Sequence, residues 1–436
     1  MMKKNRTIYF LLALVCLGLQ SCLFQEEDYF DDSSANRATA DVKRCSELLE
    51  AAPNGWVMEY YVGKDYSLGG ITLLCKFDGQ RVTMASQIAG ADETVSSLYS
   101  VKSEQATMLS FDTYNYLVHY FGQPQGSMSD DPNGTLGGDY EFIISSASAE
   151  RIELKGKKYG NRIVMKALTE DQTWKQYLTK IKKVEDDAFF YEYDLRMDGL
   201  YTGQMLRSNY TFIVTYYDEV GKVYQKTVPF MFTTDGMRFH EPVTIDGQTM
   251  QNFVWKNEEI SFVCTDEGAT GVKMKGIYID GYQSYDYYPG TYLMDFYRLN
   301  GATNQLEVAS QEIQLVKNED GKSYWLKGLE YDILVTYDKP RGGLSILPQF
   351  LKKVQGGYVY LAMWDLMNDY VLRSSAIGLI SYPTTDGIYL VDNGVWMGEI
   401  SGFIFGVYDS QDEEASFMGY TDAVAAIRLI KKTIEE

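Results

Sequence analysis

Short runs of strand-forming residues, each ended by a turn, recur from Trp56 to Tyr408. That cadence, with turns every eight to twelve residues or so, admits antiparallel β barrels or sandwiches and little else. Trp56 to Val62 has strand residues throughout, and Ile71 to Phe77 and Arg81 to Ser86 flank Asp78-Gly79, a short hairpin signal. Ser97 to Val101, Met108 to Phe111, Tyr116 to Phe121, Tyr140 to Ser145, Arg151 to Lys155 and Asn161 to Ala167 continue the series. A second set spans Leu200 to Thr265 and a third spans Gly290 to Tyr408. The 36 tyrosines and 38 glycines, against 9 prolines in 436 residues, favour sheet with tight turns over disorder.

Two helical patterns interrupt the strands. Ala35, Ala38, Val42, Cys45, Leu49 and Ala52 form one apolar stripe. Asp32, Ser33 or Ser34 can cap it, and Pro53-Asn54-Gly55 stops it. Thr169 to Gln172 reads as a capping box for a helix whose face is Trp174, Tyr177, Leu178, Ile181 and Val184. Ala423 to Ile434 fits either a helix or a last edge strand, and the strand is preferred. The expected fold is mainly β, as barrel or sandwich units with an N-terminal helix and one interrupting helix. Its units are 34–187, 188–270 and 271–436. Phe111, Thr113, Asn115 and His119 match Phe232, Thr234, Gly236 and His240 at equal offsets, an echo that fits weak duplication or chance.

The N-terminus supplies an address. Lys3, Lys4 and Arg6 precede an apolar stretch from Ile8 to Leu19, too short for a comfortable membrane span. Leu19-Gln20-Ser21-Cys22 reads as a bacterial lipoprotein cut site, so residues 1–21 are expected to be a leader and Cys22 the lipidated residue. Residues 22–33 then form a tether that carries the acidic run Gln25-Glu26-Glu27-Asp28. Losing Lys3, Lys4 and Arg6 takes the 40 basic residues to 37 against 60 acidic ones, and the net charge from −20 to −23. A charge of that sign argues against nucleic acid or anionic lipid as a partner. Past Cys22 only Cys45, Cys75 and Cys264 remain, an odd trio with no disulfide framework. Cys75 and Cys264 lie in apolar runs and are expected to be buried free thiols.

Several stretches resemble a Bacteroidota lipoprotein family whose domain carries only an unknown-function label. They are Ala52 to Tyr61, Leu109 to Asn115, Gly138 to Phe142 and Leu154 to Lys158. The third unit is similar in pattern to lipocalin-like barrels on such lipoproteins. The acidic run after Cys22 resembles their signal for export to the outer face of the outer membrane. The resemblance implies a place beside TonB-dependent outer-membrane transporters and their substrate-capturing lipoproteins, and it brings no catalytic residues.

Chemical motifs are sparse. His119 and His240 are the 2 histidines, and neither His-x-x-x-His nor Cys-x-x-Cys occurs. No Gly-x-Ser-x-Gly elbow and no phosphate-cradling glycine motif appears. No catalytic residue, metal site or cofactor is expected. The acidic loops Ser129-Asp130-Asp131 and Asp409 to Glu414 lack EF-hand spacing and read as solvated. The densest aromatic stretch is Asp280 to Gly290. Its Tyr282, Tyr285, Tyr287 and Tyr288 can stack on a sugar ring or contact a partner, or pack on the barrel as a hairpin. The expected function is a surface-anchored, non-catalytic accessory subunit in nutrient capture, with a glycan or peptide ligand. The alternative is a structural or adhesive surface lipoprotein assembled with others.

Overall fold

The computed structural model describes residues 33–124, 134–217, 220–412 and 414–432. The leader, Cys22, the tether through residue 32, Ser129-Asp130-Asp131 and Glu413 lie outside the described residues. Helix α1 (Ser34–Ala51) starts at Ser33, whose hydroxyl accepts from the Asn36 amide. It presses Cys45 and Leu49 inward, and Trp56 Nε1 donates to the Leu49 carbonyl at 2.9 Å.

The first ring has eight consecutive strands: β1 (Trp56–Val62), β2 (Gly69–Asp78), β3 (Arg81–Ser86), β4 (Val95–Ser103), β5 (Thr107–Phe111), β6 (Glu141–Ala147), β7 (Arg151–Gly156) and β8 (Arg162–Ala167). Antiparallel pairing of β1 with β8 closes it. Between β5 and β6 the expected strand at Tyr116 to Phe121 is instead helix α2 (Tyr116–His119) and a 3-10 turn (Tyr120–Gly122). Asn115 is the reason: its side chain accepts from the Leu117 amide at 3.1 Å, a local bond that diverts the chain from a ladder. Leu117, Val118 and Phe121 then fill the ring.

Helix α3 (Trp174–Asp187) starts four residues later than the expected box. The box that forms is Thr173 with Gln176, the same Thr-x-x-Gln pattern one turn on. Asn54 Nδ2 donates to the carbonyls of Thr169 and Gln172 at 2.7 and 2.9 Å, which holds that segment as a loop. One helix serves two cores: Leu178 packs on Val57, Leu74 and Ala85 outside the first ring, while Ile181 and Val184 enter the core of the second.

The second ring comprises β9 (Glu192–Met197), β10 (Leu200–Ser208), β11 (Thr211–Tyr217), β12 (Val223–Phe232), β13 (Gly236–Ile245), β14 (Gln248–Lys256), β15 (Ser261–Cys264) and β16 (Val272–Ile277). The boundary expected at residue 270 falls before β16, which pairs with β9 and completes this ring. The His119 echo does not mark the repeat, because His119 ends α2 whereas His240 sits in β13.

The third ring is formed by β17 (Gly290–Asn300), β18 (Gln305–Lys317), β19 (Ser323–Lys327), β20 (Ile333–Asp338), β21 (Gly343–Ile346), β25 (Leu379–Thr384), β26 (Gly387–Asp392) and β28 (Phe417–Lys431). Pairing of β17 with β28 closes it. A side sheet of β22 (Gln349–Val354), β23 (Gly357–Asp365), β24 (Tyr370–Leu372) and β27 (Gly402–Tyr408) hangs from β28. The segment from Ala423 is therefore strand, but not an edge, since β28 pairs with β17, β26 and β27. It serves three neighbours by bulging: the register with β17 slips between Asp295 and Tyr297, and Ala426 has φ +51°.

An eight-stranded ring is just wide enough for side chains to fill, and all three are filled. Trp56, Tyr60, Phe111 and Phe142 are fully buried in the first, Phe212, Phe230, Phe232 and Phe239 in the second, and Tyr288, Tyr292 and Tyr324 in the third. Cys45, Cys75 and Cys264 are buried free thiols. Among the described residues no helix is long and apolar enough to cross a membrane.

Ala426 is exposed, so Ala426→Gly relieves its left-handed backbone without opening a cavity. It should stabilise the protein by about 0.5–1 kcal/mol, read as a rise in the thermal midpoint.

Candidate functional site

Strand β1 carries one carboxylate in an otherwise uncharged run, Trp-Val-Met-Glu-Tyr-Tyr-Val, and every residue of it is buried. Alternation explains the burial. Trp56, Met58, Tyr60 and Val62 point into the first ring, while Glu59 and Tyr61 point out toward the second. Strand β13 answers with its own outward pair, Arg238 and His240. Glu59 is 9% exposed. It takes Lys166 Nζ of β8 on one oxygen at 2.7 Å and Arg238 Nη2 on the other.

These residues line a cleft of about 370 Å³ between the two rings, together with Tyr66, Arg151, Arg162 and Glu241. His240 lies against two phenols, its ring centroid 4.3 Å from Tyr61 and 4.0 Å from Tyr66. Tyr66 is presented by the β1–β2 turn, where Asp65 and Tyr66 both adopt positive φ, at 54° and 60°. Two adjacent non-glycine residues in that region store strain. Gly70 makes the room: a Cβ there would come within 2.7 Å of the Tyr61 ring. Arg151 and Arg162 share Glu153 at 3.1 and 3.3 Å.

Burial works to raise the Glu59 carboxyl, but Arg238 and Lys166 outweigh it and hold the group below its ordinary value. Burial pushes the Tyr61 phenol well up, so it stays protonated at neutral pH. Burial lowers His240, with Arg238 and Arg162 adding to the effect and Glu241 opposing it, so the imidazole is neutral. The cleft thus places four cations against Glu59 and Glu241 in a chain of net charge −20. The protonated Tyr61 phenol beside these cations suits recognition of an anionic group.

A second hollow, about 510 Å³, separates the second and third rings. Three of its four cations are engaged: Lys339 Nζ donates to the Asp186 carbonyl at 2.7 Å, Lys182 Nζ to the Gln87 carbonyl at 2.6 Å, and Arg207 Nη1 to the Ala188 carbonyl at 2.8 Å.

The four tyrosines singled out in the sequence lie elsewhere, on the connection into the third ring. Tyr288 is fully buried and donates to the Gly342 carbonyl at 2.8 Å. Tyr285 stacks on Tyr324 at 4.7 Å and donates to the Ser323 carbonyl. Tyr282 stacks on Phe189 of the α3–β9 connection at 6.0 Å. Tyr287 alone of the four is exposed, with Lys431 Nζ 5.0 Å from its ring. Tyr288 belongs to the core of the third ring and Tyr285 packs against it, so the stretch is anchored to that ring. Glu59, Tyr61 and Arg238 were not singled out, and His240 was considered only as one of the two histidines. Their signal was present in part, as one carboxylate inside an apolar strand and two polar residues spaced i, i+2.

His119 is half-buried at the end of α2 and stacks on Tyr140 at 4.7 Å. Among the described residues no group of three or more His, Cys, Asp and Glu is placed to hold a metal ion.

Two family models match the chain. One, described as domain of unknown function (DUF4302), matches residues 26–257, and another domain of unknown function (DUF4987) matches 265–404. The second match starts before β16, so it begins inside the second ring. A solved structure from Nostoc punctiforme, a protein of unknown function from the DUF3598 family, aligns at 7% identity. The alignment covers 56% of this chain and 98% of that one, with a TM-score of 0.15. No curated protein matches.

Glu59→Gln leaves Arg238 and Lys166 facing a neutral partner and should cost about 2–3 kcal/mol, seen as a lower thermal midpoint. Acid should loosen the same seam in two stages. His240 is depressed below 6.5, so the stability it contributes is present above that pH and is lost as the pH falls below it. Glu59, depressed below 4.5, adds a further loss below that value. Thermal midpoints measured from pH 7.5 downward should fall first below about 6.5, and His240→Phe should remove that first stage.

Proposed function

We propose that this chain, which belongs to the family described as domain of unknown function (DUF4302), is a surface-anchored lipoprotein acting as a non-catalytic binding subunit in outer-membrane nutrient capture. The observation that carries the reading is the filling of all three rings by buried side chains. Where buried side chains occupy the ring interiors, recognition falls to the outer faces and to the clefts between rings. Helix α3 packs on both of the first two rings and so holds the cleft between them in shape. The leader pattern ending at Cys22 and the acidic run Gln25 to Asp28 support a lipid anchor on the outer membrane facing outward. The resemblance of Ala52 to Tyr61 to a Bacteroidota lipoprotein family supports a TonB-dependent transporter as the partner, with a glycan or peptide as ligand.

A structural or adhesive role is the second reading. It is favoured by the side sheet, which ends at β22 with β24 beside it and leaves an open edge for another chain. Lys352 and Lys353 on β22 weigh against it, since edge lysines discourage strand addition.

Tagged protein drawn from its own outer membranes in mild detergent should bring down a TonB-dependent transporter in stoichiometric amount, identified by mass spectrometry. Recovery of the protein alone would sink the uptake reading, and recovery with other surface lipoproteins would favour the second. Cys22→Ala should move the protein from the membrane to the soluble fraction.

A further inference from the structure

Tyr61 has a hydroxyl that the fold leaves poorly satisfied. The residue is 3% exposed, lines the cleft between the first two rings, and its Oη makes no well-formed hydrogen bond, with the Arg238 guanidinium the one donor in reach. Arg238 acts on the phenol through its charge and a weak, poorly aligned hydrogen bond, while its Nη2 is directed to Glu59 and to Met231 Sδ. Buried hydroxyls in folded proteins are almost always paired. A lone protonated phenol beside a guanidinium at the back of a cleft is half of an oxyanion site.

The remainder of the cleft fits that use. Arg162 and Lys166 reach the same space from β8, and Arg162 is largely exposed beyond its contact with Glu153. His240 and Tyr66 form an aromatic wall beside it, held by the left-handed Asp65-Tyr66 turn. A planar carboxylate can accept from a phenol and a guanidinium together, and the flat wall takes the body that bears it.

We propose that this cleft binds a carboxylate, with Tyr61 and Arg238 at its base and Arg162 at its mouth. The proposal rests on the binding-subunit reading and names the ligand chemistry. Two sources share that chemistry: the acid group of a uronic-acid sugar and the C-terminus of a peptide. Arg238 is committed to Glu59, so it is a poor residue to vary. Tyr61→Phe removes the hydroxyl at the cost of no more than a weak contact with Arg238, and Arg162→Gln changes an exposed side chain.

Calorimetric titration of the folded protein with digalacturonate and with diglycine, each against its methyl ester, separates the sources. One acid should bind while its ester does not, and each variant should weaken binding about tenfold at an unchanged melting temperature. Failure of both acids to bind at millimolar concentration, or wild-type affinity in both variants, would overturn the carboxylate site. The transporter pull-down repeated with Tyr61→Phe keeps the two readings apart. Undiminished recovery beside lost carboxylate binding leaves both standing, whereas recovery of no transporter with carboxylate binding intact sinks only the uptake reading.

Discussion

Closure of the hydrogen-bond ladder is the constraint on which this structure depends. A sheet of eight strands left open would present two rows of unpaired N–H and C=O groups to solvent or to other chains. Here β1 meets β8, β9 meets β16 and β17 meets β28, so each ring satisfies its own edges and only the side sheet keeps an open one. The ring size sets the interior, and at eight strands the aromatic and aliphatic side chains occupy it. What remains for recognition is the outward half of each strand. That is why the polar chemistry gathers at seams, where outward residues of one ring meet those of the next.

The seam between the first two rings shows how a buried charge is kept. Glu59 has Lys166 on one oxygen and Arg238 on the other, so a carboxylate from one barrel is neutralised jointly by both. Such an arrangement adds little to net stability compared with a well-packed apolar contact. Its value lies in register. A slip of one residue in β13 would turn Arg238 and His240 into the core and bring Met237 and Phe239 out.

Much of the fold was legible. Alternation and turn chemistry placed most strands of the first ring, and the Asp78-Gly79 hairpin lies between β2 and β3 as the dipeptide implies. Local chemistry explains the misses. Asn115 bonds its own backbone and makes a helix from a strand-like run. Asn54, more than a hundred positions away, holds Thr169 to Gln172 out of the helix. Strands β9 and β16 needed knowledge of the partner that closes the ring. The candidate site was harder still, because Glu59 and Arg238 are 179 positions apart and only the docking of two rings brings them together. The tyrosine cluster misled because aromatic density marks a ring core as readily as a binding face.

The bulged strand β28 ties the third ring to the order in which the chain is made. Its first strand, Gly290–Asn300, cannot complete its pairing until Phe417–Lys431 has been synthesised. Until then the aromatic core around Tyr288 and Tyr292 has no finished shell to enter. The first ring needs nothing beyond residue 167 to close, so folding during synthesis can proceed barrel by barrel only up to the last.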